Sequence, residues 1–218
     1  TGSVKRVFDD NSAGKLTLES TIADWVTISK TEAECAGGQD GLTSVLHGCL
    51  KEALSLVQAN GIDFSDFNND GDNFIDAITF LHSGYGAEWG GSAGKRIWSH
   101  KWGFGSSWVS SSGTRVRTYH ISPALWGTSG SAIGRIGVIA HETGHFLGLP
   151  DLYDSDNSDG DGLGSWSLMA NSCKYRIFGF GYGISILTTS QGALMAPSAI
   201  HLDSTRGANI NWDGSIQR

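Results

Sequence analysis

Apolar and polar positions along this chain follow two different periods, and the changes of period mark out its elements. Leu16 and Leu18 alternate with polar neighbours over residues 14–20, the period of a half-buried strand, and residues 25–28 read as a second strand. Leu42, Val45, Leu46, Cys49, Leu50, Ala53, Leu54 and Val57 then recur at steps of three and four. That stripe predicts an amphipathic helix of about five turns over 42–59, closed by Asn60-Gly61 and laid against a sheet. An apolar strand is predicted over 74–75 and 77–81, and residues 115–121 return to a period of two. Ile133, Ile136, Ala140, Gly144 and Leu147 restore the helical period and predict a second helix over 132–147, with these residues on its buried side. Beyond residue 172, 184–187 reads as a strand and 191–200 as a short helix broken by Pro197. Strands interleaved with two amphipathic helices place the chain in the α/β class.

Composition narrows the picture. A chain of 218 residues is one ordinary domain with room for a proper core. Its hydrophobic content of 39% contains no long apolar run, so no membrane span is expected, and no signal-like segment follows Thr1. A net charge of −7 excludes nucleic acid as an expected partner, because backbone phosphates call for a basic surface. Thirty-one glycines against three prolines predict many tight turns. Much of the acidity is Asp clustered at 63–76 and 151–161, a pattern of cation binding more than of a solvated face.

The densest chemistry lies in residues 141–151, His-Glu-Thr-Gly-His-Phe-Leu-Gly-Leu-Pro-Asp. His141 and His145 are four residues apart, so on a helix they stack one turn above each other and can hold one metal ion together. Glu142 lies about 100° round the helix from His141, where its carboxylate reaches a water on that metal without becoming a ligand. Gly148 is suited to end the helix in the left-handed conformation, and Asp151 can return to the ion as a third ligand. Asp154 is the rival for that third place. Two imidazoles, one carboxylate and an open position describe a catalytic zinc centre; the plain alternative is a pair of polar residues on an exposed helix face.

This run resembles the extended zinc signature of the metzincin metallopeptidases, in the variant where Asp replaces the third His. L-P-D-L-Y-D (149–154), G-S-W-S-L-M-A (164–170), D-F-S-D-F-N-N-D-G-D (63–72), H-S-G-Y-G-A-E-W (82–89) and I-W-S-H-K-W (97–102) are similar to the immune inhibitor A family of secreted bacterial-type peptidases. The resemblance implies a zinc peptidase with a twisted, mostly parallel sheet, a backing helix (42–59) and an active-site helix (132–147). The likeness runs from about residue 12 to about residue 172 and does not extend to the tail; by its length the chain is read as a single catalytic domain over 1–218, with an upper lobe of about 1–148 and a small lower lobe of about 149–218. Met169 would lie in a Met-turn, an apolar floor beneath the zinc, although alone it reads as core. Residues 115–121 would be the edge strand beside the cleft, to which an extended substrate adds. Residues 82–91 would be a cleft wall or a long surface turn, and Tyr175 a candidate for polarising the scissile carbonyl. His100, between Trp98 and Trp102, reads as a satisfied structural histidine outside the zinc shell.

Asp66, Asn68, Asp70 and Asp72 place oxygens at alternate positions with Gly71 sixth, the first half of an EF-hand-type calcium loop. The second half departs, since Ala77 stands where the bidentate Glu belongs and Asp76 comes one place early. The choice is between a calcium-binding turn and a polar turn rich in Asp and Asn. Calcium-like loops and a protease signature both point to an extracellular compartment. There Cys35 would pair with Cys49 and leave Cys173 over; the alternative is three small buried hydrophobes in a reduced protein.

The function these residues predict is that of a secreted, monomeric zinc endopeptidase acting on protein or peptide. Zn²⁺ on His141, His145 and Asp151 would acidify its water, and Glu142 would act as general base. The rival from another class is a calcium-stabilised carbohydrate-binding or adhesion module with a structural or vestigial zinc site, given the eight tryptophans and the Asp-rich loops.

Overall fold

In a computed structural model of the chain, the structure describes residues 3–153, 162–163 and 167–170, with the backbone of 209–210 and 216–217. The chain divides into two compact units, Thr21–Gly134 on one hand and Thr1–Ser20 with Arg135–Arg218 on the other. The division falls at 20/21 and 134/135.

Unit Thr21–Gly134 is built on the backing helix. Helix α2 (Glu32–Ala36) opens with a capping box in which Thr31 and Glu34 satisfy each other's backbone N–H, and closes on Gly37 at φ 62°. Helix α3 (Ser44–Ala59) starts two residues later than its apolar stripe because Thr43 accepts from Val45 N–H as the N-cap. Its buried face is Leu46, Cys49, Leu50 and Leu54. A disulfide joins Cys35 of α2 to Cys49 of α3, with the Cα atoms 6.0 Å apart.

The sheet in this unit has the order β1–β3–β2, with β1 at Thr79–Tyr85, β2 at His100–Val109 and β3 at Arg115–Leu125. Strand β1 runs parallel to β3, and β2 antiparallel to it. The expectation of a mostly parallel sheet is corrected to a mixed one. Residues 110–114 form a tight return, with Ser110 N–H donating to Thr114 O at 2.8 Å, and so short a connection can only join antiparallel strands. The edge-strand reading of 115–121 is corrected too: β3 is paired on both sides, and Val116, Tyr119 and Ile121 are among the most buried side chains of the core. Residues 82–85 are strand and not loop, followed by a 3-10 turn, Ala87–Trp89. Phe74 pairs only as a single bridge to Arg115, so the strand expected from residue 74 begins at Thr79.

The strands expected at 14–20 and 25–28 are not formed. Leu16 and Leu18 pack into the apolar cluster of their own unit, and Ile28 against the core around α3. Their alternation is met by one-sided burial of an extended segment, which leaves the same period as a strand without its hydrogen bonds.

In the second unit, helix α1 (Val4–Asn11), which the apolar pattern did not reveal, begins at Ser3, whose side chain accepts from Arg6 N–H. Val7 and Phe8 bury in one apolar cluster with Ala140 and Leu149. Helix α4 spans Ile136–Phe146, four residues shorter at its start than the predicted 132–147. The chain before it is a hairpin continuing β3: Trp126 N–H donates to Ala132 O at 2.7 Å, and Gly134 N–H to Ala124 O at 2.6 Å. Ile133 is thus 83% exposed and not on a buried helix side. A Cβ at Gly134 would lie 2.7 Å from Pro123 O, so only glycine fits that return. Residues 209–210 and 216–217 form a short antiparallel pair, β4 and β5. The expected strand at 184–187 and helix at 191–200 lie outside the described residues.

Candidate metal centre

Helix α4 fixes the two histidines. With hydrogen bonds every four residues, their rings are carried on one face, and they meet edge to face with centroids 4.8 Å apart and planes at 87°. The helix ends as the sequence predicts: Gly148 takes φ 80°, and Leu149 N–H returns to Gly144 O at 3.1 Å. That reversal carries Asp151 back, so that its Oδ1 lies 3.1 Å from His141 Nε2 and 3.3 Å from His145 Nε2. Among the described residues this is the one group of three or more His, Cys, Asp or Glu whose donor atoms all lie within 4.8 Å of one another.

The far side of each imidazole is also accounted for. His141 Nδ1 lies 2.8 Å from Leu168 O and His145 Nδ1 lies 2.7 Å from Leu149 O. A carbonyl can only accept, so both rings donate from Nδ1 and present Nε2 to Asp151. Burial pushes the pKa of His141 below its ordinary value, opposed by the bond to Leu168 and by Asp151, which favours the neutral, ligating form. Two neutral imidazoles and one carboxylate fit a divalent transition metal, zinc above all, and fit poorly to the all-oxygen demands of calcium. Glu142 is 6% exposed on the same helix.

Beneath the histidines, Met169 is fully buried in a turn in which Ala170 N–H donates to Ser167 O at 3.1 Å. A Cβ at position 144 would stand 2.6 Å from Met169 Sδ, so Gly144 is the space the methionine occupies. Leu152 N–H donates to Met169 O at 2.7 Å, tying the segment after Asp151 to the same turn.

The chain matches the model of the immune inhibitor A peptidase M6 catalytic domain over residues 1–184. It belongs to that peptidase family. It is 30% identical over 195 residues to immune inhibitor A of Bacillus thuringiensis subsp. alesti, covering 76% of this chain and 28% of the relative. It is 27% identical over 206 residues to the pre-pro-metalloprotease PrtV of Vibrio cholerae serotype O1 (strain M66-2), covering 78% of this chain and 21% of the relative. The chain thus spans about a quarter of the length of these curated relatives.

Other residues singled out in this M6 domain behave differently. In the Asp-rich stretch, Asp66 sits in a 3-10 turn (Phe64–Phe67), and the carboxylates beyond it turn onto their own loop. Asp70 Oδ1 accepts from Asp72 N–H at 3.1 Å, Asp72 Oδ1 from Phe74 N–H at 2.7 Å, and Asp76 Oδ2 from Asn69 Nδ2 at 2.6 Å. Asn68 Oδ1 is buried there without a hydrogen-bond partner. His100 is bonded at both nitrogens, to Trp98 O at 2.7 Å and to the Tyr119 hydroxyl at 3.1 Å, a structural histidine of the sheet. Asp154, Cys173 and Tyr175 lie outside the described residues. No described helix is long and apolar enough to cross a membrane.

The sequence reading placed Gly144 on the buried, close-packed side of its helix, but missed Met169 as the side chain that packs on it, Tyr153 as a neighbour of His141, and the two carbonyls behind the histidines. The carbonyls leave no trace in residue identity.

Proposed function

We infer that this domain is a secreted zinc endopeptidase in which His141, His145 and Asp151 hold the metal and Glu142 is the general base. The observation that carries the reading is the meeting of both Nε2 atoms with one Asp151 oxygen while both Nδ1 atoms are committed to backbone carbonyls. Zn²⁺ bound there supplies Lewis-acid polarisation of the scissile carbonyl and a water acidic enough to attack at neutral pH. The Glu142 carboxylate takes the proton from the attacking water and delivers it to the departing amine, so no protein nucleophile and no acyl-enzyme are needed. Asp151 would be the one anionic ligand beside two imidazoles, and the carbonyls of Leu168 and Leu149 fix the tautomer of those rings. Met169, packed under Gly144, is the floor that a Met-turn provides.

An extracellular site of action is supported by the Cys35–Cys49 disulfide, since such bonds persist in oxidising compartments. The loop with Asp66, Asn68, Asp70, Asp72 and Asp76 is proposed to take a structural Ca²⁺, for which the unpartnered Asn68 Oδ1 is the best support. The substrate is protein or peptide and the working unit a monomer.

The test is digestion of a diverse peptide mixture read by mass spectrometry, with a zinc-selective chelator and with zinc restored. Cuts that vanish with the chelator and return with zinc are expected. Folded, zinc-loaded protein that makes no cut would overturn the reading.

A further inference from the structure

Beyond Pro150 the chain forms a short strap in which neighbouring side chains take opposite sides. Asp151 reaches the two histidines, and Tyr153, two residues on, lies nearly parallel to the His141 ring, with centroids 6.3 Å apart and planes 20° apart. Leu152 between them packs with the cluster that holds Ala140, Leu149, Leu168 and Met169. Its backbone is held on both sides, the N–H donating to Met169 O at 2.7 Å and the carbonyl accepting from Leu163 N–H at 2.9 Å. The period of two thus assigns the odd positions to the metal centre and the even one to the core.

The His141 ring is held at both nitrogens, with Nδ1 2.8 Å from Leu168 O and Nε2 3.1 Å from Asp151 Oδ1. It leaves this position by tilting off the two anchors, and a nearly parallel aromatic neighbour opposes that tilt. His145 meets the ring edge to face, with centroids 4.8 Å apart.

We propose that Tyr153 is a positioning residue of the metal centre: its ring backs the plane of His141, and the strap it shares with Asp151 keeps that carboxylate against the histidines. The role rests on the zinc reading above. It acts through two ligands and needs the ring, not the hydroxyl. Tyr153 is 38% exposed, so shortening it removes little core packing.

The experiment measures zinc affinity by chelator competition for the wild type, Tyr153→Phe and Tyr153→Leu, together with the thermal midpoint of each metal-free protein. Loss of groups that orient metal ligands typically weakens binding by about 10–100-fold. Tyr153→Leu is expected to lose about tenfold or more with the metal-free midpoint unchanged, and Tyr153→Phe to bind as the wild type does. Wild-type affinity in Tyr153→Leu would overturn the positioning role while leaving the zinc site intact. Equal weakening in both variants would assign the role to the hydroxyl and also overturn it. A wild type that takes up no zinc would sink the zinc reading itself, and this role with it.

Discussion

Residues 63–76 and 141–153 are both dense in side chains that bind cations, yet they direct those side chains in opposite ways. In the first stretch, Asp70 and Asp72 accept hydrogen bonds from N–H groups two residues ahead, and Asp76 takes up the amide of Asn69. These three carboxylates are spent on their own loop, as short polar side chains in turns commonly are, while Asn68 Oδ1 is left without a partner. In the second, backbone carbonyls satisfy the outer nitrogens, and the inner donors converge on one oxygen of Asp151. The difference lies in what holds the ligands. A helix carries two histidines at a fixed separation whatever surrounds it. A turn fixes its oxygens only once something, an ion or its own amides, has bonded to them.

Four experiments would break or sharpen this contrast. The largest effect is expected from His145→Ala, which removes one of two imidazoles: zinc retention and turnover should both be lost, measured by metal content after dialysis and by peptide cleavage. Retained zinc-dependent cleavage would mean the metal is held elsewhere. Next comes Glu142→Ala, expected to keep its zinc while kcat falls by about 10²–10⁴-fold, the usual weight of a general base. Full turnover in that variant would remove Glu142 from the mechanism.

The third compares the glycines of the two regions. Gly144 has helical backbone and lacks space, with Met169 Sδ 2.6 Å from where a Cβ would be; Gly71 has open space but φ 76°. Gly144→Asn should cost about 1–3 kcal/mol by overpacking, whereas Gly71→Asn should be nearly silent, because Asn tolerates the left-handed region. Urea unfolding of both variants checks this, and equal costs would mean that the turn is as tightly packed as the helix. The smallest effect is that of calcium on the Asp-rich loop. Added Ca²⁺ should raise the thermal midpoint of the wild type by a few degrees through preferential binding to the folded state, and Asp70→Ala should abolish the rise. A midpoint indifferent to calcium would leave 63–76 as a self-satisfied turn.

How much was legible follows the same physics. The backing helix was read to within two residues of its start because its stripe is long and Thr43 marks the cap. Helix α4 was placed correctly at its C-terminal end, where Gly148 stops it, but its start was drawn four residues early. There Ile133 fits the helical period by coincidence, while Gly134 belongs to a hairpin. The alternation at 14–20 and 25–28 was real, yet period two records burial on one side and not a hydrogen-bonded neighbour.

By itself the sequence determined which side chains 141–151 offers: two histidines at helical spacing, a glutamate beside the first, and the glycine that ends the helix are all local matters. Tertiary structure decided what depends on distant partners. It made β3 a central strand, since pairing on both sides involves residues far away in the chain. It set the tautomer of His141 through the carbonyl of Leu168, 27 residues on. It brought Met169 under Gly144 and Tyr153 over His141. Backbone carbonyls are the same at every position, and the packing of one ring on another leaves no periodic mark, so these relations exist only in the folded chain.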